Sequence, residues 1–139
     1  MTTGENKRIV QRAFEAFMAG DLRPLGDLLA PDAVLHQCGF LDPLPARRLL
    51  EGGPPGPSRI REREVRLDRM VGEGDLVALQ WRTSGRFPDA GTHEGKEVSF
   101  PSMTFIRLEH DRIAEIWNIQ DTATLQSQLD EASHPVESR

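Results

Sequence analysis

The residue best suited to acid–base chemistry in this sequence is Asp121, which follows the apolar stretch Ile113–Ile119. β-Branched and aromatic residues dominate that stretch, as is typical of a β-strand. A carboxylate at the edge of an apolar surface should have a raised pKa, because burial disfavours its charged form, and it could then act as a base. An Asp in this position could also cap a following helix by accepting a backbone N–H. Both roles are open.

A β-hairpin is predicted to position this carboxylate. The strand Val98–Leu108 precedes Ile113, and a two-residue turn at His110–Asp111 would pair Leu108 with Ile113. Regular alternation would then place one largely apolar face along both strands, ending in Asp121 and leaving Asn118 on the opposite face. The predicted members of that face are Val98, Phe100, Ser102, Thr104, Ile106, Leu108, Ile113, Glu115, Trp117, Ile119 and Asp121.

Other polar side chains could stabilise an enolate formed by such a base. His36 lies in a short predicted strand, and His93 lies in a predicted loop, Asp89–Gly95. Gln80 and Arg82 share one face of another predicted strand, and the pattern does not decide which face points inward. Asn118 is the last-ranked candidate donor, because regular alternation would point it away from Asp121. Structural roles are also open for all of these side chains.

The surrounding elements indicate an α+β domain. Thr2 and Glu5 have the spacing of a capping box, and apolar residues recur at helical intervals as far as Ala19. A second short helix is predicted from Asp21, and long antiparallel strands follow. We expect the helices to pack on a strongly curved sheet that encloses a pocket, with Phe17 among its wall residues.

The segment from residue 41 to residue 58 has a different composition. It allows one or two helical turns around Ala46–Glu51 and then becomes rich in glycine and proline, which exclude a regular helix or a central strand. We expect Gly52–Ser58 to form a mobile flap at the pocket mouth. Residues 1–132 are predicted to form one domain, followed by a polar tail at 133–139.

Composition restricts the class of protein. The net charge of −5 argues against nucleic acid or an anionic membrane as a partner. We find no apolar run long enough to span a bilayer and no signal peptide. The single cysteine, Cys38, cannot form an internal disulfide and fits a reducing compartment, so a cytoplasmic location is expected.

Three stretches carry a resemblance to a known family. They are Phe14–His36, Gly72–Ala78 and Phe105–Trp117, with Asp121 four residues beyond the last of them. Together they resemble the SnoaL-like polyketide cyclases of the nuclear transport factor 2-like superfamily. The resemblance implies a cone-shaped α+β barrel with a central pocket, usually dimeric or larger. It also implies that Asp121 is the acid–base group of an intramolecular aldol ring closure that needs no metal or other cofactor.

The expected function is therefore cyclisation or isomerisation of a carbonyl-containing polyketide or related metabolite. Asp121, His93 and His36 are the candidate catalytic residues, and Trp117 and Phe100 would supply flat apolar walls. The absence of Tyr separates this sequence from the Tyr-containing sites of ketosteroid isomerases and scytalone dehydratases. The candidate substrate-binding residues are Trp117, Phe100, Thr104, Gln80, Arg82, Phe17 and Ile119.

Two other functions and a dimer are also considered. A cofactor-independent hydroxylase or an epoxide hydrolase could use this fold, the latter with Arg82 or Arg107 beside the Asp. A non-catalytic small-molecule-binding domain is the third possibility. The outer sheet face, with Met103, Phe105 and Ile116, is expected to form a homodimer interface, since it would otherwise expose an apolar patch.

Overall fold

The computed structural model of the protein describes residues 2–51, 60–89 and 92–133, without the side chains of residues 89, 92–94 and 131–133. Within these ranges, two helices precede the strands and one helix follows them. The elements are α1 (Thr3–Ala19), α2 (Arg23–Leu28), β1 (Leu29–Gln37), β2 (Leu44–Pro45), a 3₁₀ helix (Ala46–Leu50), β3 (Arg61–Glu73), β4 (Leu76–Asp89), β5 (Thr92–Glu109), β6 (Arg112–Gln120) and α3 (Thr122–Ser133).

The described strands form one curved, unclosed sheet in the order β2-β1-β6-β5-β4-β3. Neighbouring strands are antiparallel, except that β1 runs parallel to β6. The helices pack on this sheet, and the predicted α+β class with helices on a curved, mostly antiparallel sheet is confirmed. We call the face towards the helices the inner face. None of the helices in the described ranges is long and apolar enough to cross a bilayer.

Local signals set the limits of α1. The Thr2 hydroxyl accepts the Glu5 N–H at 3.1 Å, and the Glu5 carboxylate accepts the Thr2 N–H at 3.3 Å, which completes the predicted capping box. Gly20 ends the helix at φ 75°, a conformation that costs glycine little. The apolar side of the helix buries Val10 and Phe14 against the sheet, and each such large side chain contributes roughly 1.5–3 kcal/mol.

The inner face carries two groups of buried apolar side chains. The main core lies under α1 and α2 and contains Phe14 and Trp81, whose ring centroids are 5.7 Å apart. A smaller core lies under α3, where Phe100 and Leu125 belong to one cluster. The two cores therefore divide the inner face into a region under α1 and a region under α3.

The hairpin between β5 and β6 has the predicted turn, but its strand register differs from the prediction after Ile113. Its turn has positive φ at both His110 (52°) and Asp111 (66°), as a two-residue hairpin turn of type I′ requires, and Leu108 pairs with Ile113 as predicted. The next pair, however, is Arg107 with Glu115. Ala114 is therefore an extra residue, a β-bulge in β6.

The bulge reverses the predicted faces of β6 from Glu115 onwards, so that part of the face prediction is wrong. Ile116, Asn118 and Gln120 point inward and are buried, whereas 65% of the Ile119 surface is exposed on the outer face. The physical reason is that Ile113 and Ile116 are both buried inside although three positions separate them. Regular alternation cannot bury both residues, and one extra residue between them can.

Two further expectations concern the loops. The loop predicted for Asp89–Gly95 is shorter in the structure, because Phe87 pairs with Lys96 and β5 already begins at Thr92. The helical turns predicted around Ala46–Glu51 are present as the 3₁₀ helix. The predicted flap Gly52–Ser58 and residues 134–139 of the predicted tail lie outside the described residues.

Candidate ligand-binding site

A cavity of about 80 Å³ lies between α1, α2, the 3₁₀ helix and the inner face of the sheet. Most of its lining is apolar, and its aromatic members are Phe14, Phe17 and Trp81. Its polar members are Gln37, Trp81, Thr104 and Asn118, and none of the described lining residues carries an ionisable side chain. Such a cavity favours a neutral, largely apolar ligand, because a buried unpaired charge is unfavourable.

Hydrogen bonds join the polar members into one row across four strands. The Trp81 Nε1–H donates to the Thr104 hydroxyl at 2.9 Å, and that hydroxyl donates to Asn118 Oδ1 at 2.8 Å. Asn118 Nδ2 in turn donates to Gln37 Oε1 at 3.2 Å. We call Trp81, Thr104, Asn118 and Gln37 the polar row. An amide nitrogen has two hydrogens, so Asn118 retains one N–H for a ligand oxygen.

Two more polar residues lie next to this row on the inner face. Ser102 and Gln120 pair across β5 and β6, and both are buried. The Ser102 Oγ and the Gln120 Nε2 have no hydrogen-bond partner within the described ranges. A buried unsatisfied group of this kind costs about 1–3 kcal/mol.

Asp121 caps α3 and does not line the cavity. Its Oδ1 accepts the Thr124 N–H at 2.9 Å, and its Oδ2 accepts the Thr124 hydroxyl at 2.6 Å. The hydrogen bond from the Thr124 hydroxyl, followed by that from the Thr124 backbone, lowers the pKa of Asp121. The predicted cap is confirmed, and the predicted rise in pKa is wrong because the carboxylate is hydrogen-bonded in its charged form. Its catalytic role stays a prediction.

His36 lies on the outer face, on the side of the sheet opposite the cavity. Its Nε2 is 2.5 Å from Glu115 Oε2, and its ring stacks on Trp117 at a centroid distance of 5.2 Å. Arg107 Nε donates to the other oxygen of Glu115 at 3.2 Å. The hydrogen bond with His36, followed by the one from Arg107, lowers the pKa of Glu115. The sheet itself therefore lies between His36 and the cavity.

The remaining candidates are divided between the two faces. Phe17 and Thr104 line the cavity, whereas Phe100 is buried in the smaller core. Gln80 and Arg82 alternate with the inward Trp81 and so lie on the outer face. The residues that the structure places away from the cavity are Asp121, His36, Trp117, Phe100, Gln80, Arg82 and Ile119, and the His93 side chain lies outside the described residues.

Sequence reasoning missed two residues of the polar row and ranked a third, Asn118, last among the candidate donors. In the sequence, Trp81 is only one member of an alternating face, and Gln37 only alternates with Leu35 in a period of two. Asn118 was predicted to face away, and the spacing of Ile113 and Ile116 was the signal that could have revealed the bulge. Among the described residues, no group of three or more His, Cys, Asp or Glu is arranged to hold a metal ion.

Solved structures with this fold have several assigned activities. AclR from Streptomyces galilaeus, a proposed hydroxylase, has a TM-score of 0.72 and 19% identity, covering 94% of this chain and 98% of that chain. IdmH from Streptomyces antibioticus, a proposed polyketide cyclase, has a TM-score of 0.69 and 26% identity, covering 90% and 98%. An LEH-like epoxide hydrolase from M. tuberculosis has a TM-score of 0.66 and 18% identity, covering 96% and 98%.

These similarities identify a fold that supports different reactions, so they do not by themselves identify the reaction of this protein. No curated protein matches this sequence. Residues 10–116 match the family model of the SnoaL-like domain. Because that match extends over more than half of the chain, the protein belongs to the SnoaL-like domain family.

Proposed function

We propose that this protein is a cofactor-independent enzyme of the polyketide-cyclase type, which binds a carbonyl-containing polyketide or related metabolite in the cavity. The observation that carries the proposal is the polar row on an otherwise apolar wall. The hydrogen bonds that Thr104 and Gln37 make with Asn118 hold its amide in one orientation. The remaining N–H of Asn118 then meets a carbonyl oxygen without rearrangement.

The chemistry would depend on orientation and on this donor. A polyketide with neighbouring carbonyl groups enolises in water, and the cavity would hold the enol carbon close to a second carbonyl carbon of the same chain. A carbon–carbon bond forms between them, and the enol proton passes to the new alkoxide oxygen. Asn118 would donate its hydrogen bond to that oxygen while negative charge develops on it.

The size of the cavity places a condition on this function. Its volume of about 80 Å³ is below the roughly 300–1,000 Å³ of typical ligand pockets. Leu22 and Leu49 are half-buried lining residues from the segments that cover the sheet. A multi-ring substrate would therefore displace these segments on entry, which the short α2 and the 3₁₀ helix permit more readily than the sheet does.

A second candidate is a non-catalytic small-molecule-binding domain. The observation that favours it is the absence of an ionisable side chain among the described lining residues, since general acid–base catalysis from within the cavity needs one. Both candidates use the same donor on Asn118, and they differ in whether the ligand leaves unchanged.

Mass spectrometry of the wild-type protein incubated with a panel of aromatic polyketides separates the candidates. Ring closure yields a product of unchanged mass at a new retention time, or one that has lost water. Hydroxylation adds an oxygen atom, and a binding domain returns the ligand unchanged. We expect ring closure, and either of the other two results would contradict the proposal.

Asn118→Leu tests the donor itself. The substitution keeps a similar volume and removes the N–H, and we expect turnover to fall roughly 100-fold or more, the usual effect of removing one oxyanion donor. Gln80→Leu, the matched loss of an amide on the outer face, should retain wild-type turnover. Equal turnover in Asn118→Leu and Gln80→Leu would refute the role of Asn118.

A further inference from the structure

Ser102 and Gln120 are buried polar residues on the inner face, and each has one side-chain atom without a hydrogen-bond partner in the described part of the chain. Ser102 is 2% exposed and Gln120 is 7% exposed. The Ser102 Oγ and the Gln120 Nε2 have no hydrogen-bond partner within the described part of the chain. Buried polar groups are normally hydrogen-bonded, so these two residues, which we call the Ser102–Gln120 couple, need an explanation such as a water or a ligand.

The couple lies directly beside the cavity. Ser102 pairs with the cavity residue Trp81 on β4, and it lies two residues before Thr104 on the same face of β5. Gln120 lies two residues beyond Asn118 on the inner face of β6. Two residues along a strand correspond to roughly 7 Å. The inner wall therefore presents two sets of donors, Asn118 and the Ser102–Gln120 couple, about 7 Å apart.

We propose that Ser102 and Gln120 form a second oxygen-binding subsite that extends the cavity. Gln120 Nε2 can only donate, and the Ser102 hydroxyl can donate or accept, so the matching ligand group is a carbonyl or hydroxyl oxygen. The ligand is then a flat, neutral compound with oxygens at opposite ends, one at Asn118 and one at this couple. This inference rests on the proposed function, because it uses the same cavity.

The third buried atom without a partner in the described ranges, Asn6 Oδ1, has a different setting. Asn6 lies in α1, and its Nδ2 donates to the Gly74 carbonyl at 3.0 Å in the turn between β3 and β4. It does not line the cavity. The subsite is therefore confined to the pair of residues that adjoin the polar row.

Acetophenone and para-diacetylbenzene are suitable probes, because they share one ring and differ in having one or two carbonyl groups at opposite ends. Dissociation constants from NMR titration of the intact protein give the preference for the diketone. We expect wild type to bind para-diacetylbenzene roughly three- to tenfold more tightly, the effect of one added neutral hydrogen bond. Equal affinity for the two probes would overturn the proposal.

The double variant Ser102→Ala/Gln120→Met removes the donors and keeps most of the volume. We expect it to bind acetophenone as wild type does and to lose the preference for the diketone. Gln80→Met makes the same change of side chain on the outer face and should keep the preference. A double variant that also keeps the preference would refute the subsite.

Melting temperature provides a second readout, because a structural water could also satisfy the couple. Replacing two unpaired groups by apolar ones should leave the melting temperature without ligand unchanged or raise it. A lower melting temperature in the double variant, with no diketone preference in wild type, would indicate a structural water and would overturn the proposal.

The binding data also distinguish failure of the subsite from failure of the proposed function. If acetophenone fails to bind, or binds equally well to Asn118→Leu, the proposed function fails. If only the diketone preference is missing, the subsite alone fails.

Discussion

The Asp121 carboxylate is held by two hydrogen bonds from Thr124, and these determine how it responds to pH. Its pKa is lower in the folded protein than in the unfolded chain, so it stabilises the fold above the unfolded pKa of about 3.9. That contribution is lost as the pH falls through the lower, folded pKa. Asn caps helices about as well as Asp but does not titrate. The dependence of stability on acid pH that Asp121 causes should therefore disappear in Asp121→Asn.

We predict that Asp121→Asn retains its melting temperature at neutral pH, because the cap is preserved. Asp121→Ala should melt at a lower temperature, since Ala cannot accept the Thr124 hydrogen bonds. Thermal melts between acid and neutral pH, together with turnover for both variants, check this. In a well-folded Asn variant, a loss of about 100-fold in turnover would support the acid–base role predicted from the sequence, and full turnover would refute it.

The Thr104 hydroxyl joins the polar row by accepting from Trp81 and donating to Asn118. In Thr104→Val the shape is kept, but Trp81 Nε1 and Asn118 Oδ1 lose their partner. We predict a loss of about 1–3 kcal/mol in the free energy of unfolding. Urea denaturation measures it, and Thr104→Ser, which keeps the hydroxyl, should lose less than Thr104→Val does.

At the scale of elements, the position of the bulge in β6 decides which side chains reach the cavity. Ala114 is the extra residue between the pairs Leu108–Ile113 and Arg107–Glu115. Its removal would restore regular alternation and would leave Ile116, Asn118 and Gln120 facing inward. Deletion of Ala114 therefore keeps the inward residues inward, whereas deletion of a residue farther along β6 would turn the residues after it to the other face.

We predict that deletion of Ala114 yields a folded protein that still binds acetophenone. Deletion of Trp117 is the matched control, because it would turn Asn118 and Gln120 to the outer face. Moving inward side chains out of a packed interior should cost several kcal/mol, on the scale of large core truncations. Melting curves and NMR titrations of both variants check this, and equal damage in the two deletions would contradict it.

Gly85 marks a close approach between β4 and the beginning of β3. A Cβ at this position would lie 2.5 Å from Ile60 Cγ2 and 2.7 Å from the Arg61 carbonyl oxygen. We predict that Gly85→Ala lowers the free energy of unfolding by roughly 1–3 kcal/mol, as overpacking usually does. Gly4→Ala in α1, where the nearest atom is 3.9 Å away, should instead stabilise by about 0.4–1 kcal/mol. Urea denaturation compares them.

At the scale of the whole molecule, the outer sheet face exposes Met103, Phe105 and Ile119, each more than half exposed. Met103 and Ile119 pair directly across β5 and β6, so the exposed side chains form one patch. Ile116, which the sequence assigned to this patch, is buried on the inner face because of the bulge. The exposed patch still supports the expectation of a homodimer on this face.

We predict that light scattering at micromolar concentration gives twice the chain mass of 15.6 kDa. Phe105→Glu should give the single-chain mass, because it places a charge in the apolar patch. Met18→Glu, an exposed change in α1 on the other side of the sheet, is the control and should leave the dimer intact. A wild-type mass of 15.6 kDa would refute the dimer.

The sequence by itself determined the features that depend on neighbouring residues. Thr2 and Glu5 cap α1 through contacts three residues apart, and His110–Asp111 forms its turn from two adjacent residues. Asp121 caps α3 through Thr124. These signals are local, because capping and turn geometry involve the backbone within one turn of the residue concerned.

Tertiary structure alone decided which polar residues meet at the cavity. Gln37, Trp81, Thr104 and Asn118 come from four strands, and only the pairing of those strands brings them together. Burial of both Ile113 and Ile116 against the helices favours an extra residue at Ala114. Since strand side chains alternate with a period of two, regular pairing through Ala114 would turn Asn118 outward, whereas an unpaired Ala114 leaves Asn118 inward and Trp117 outward.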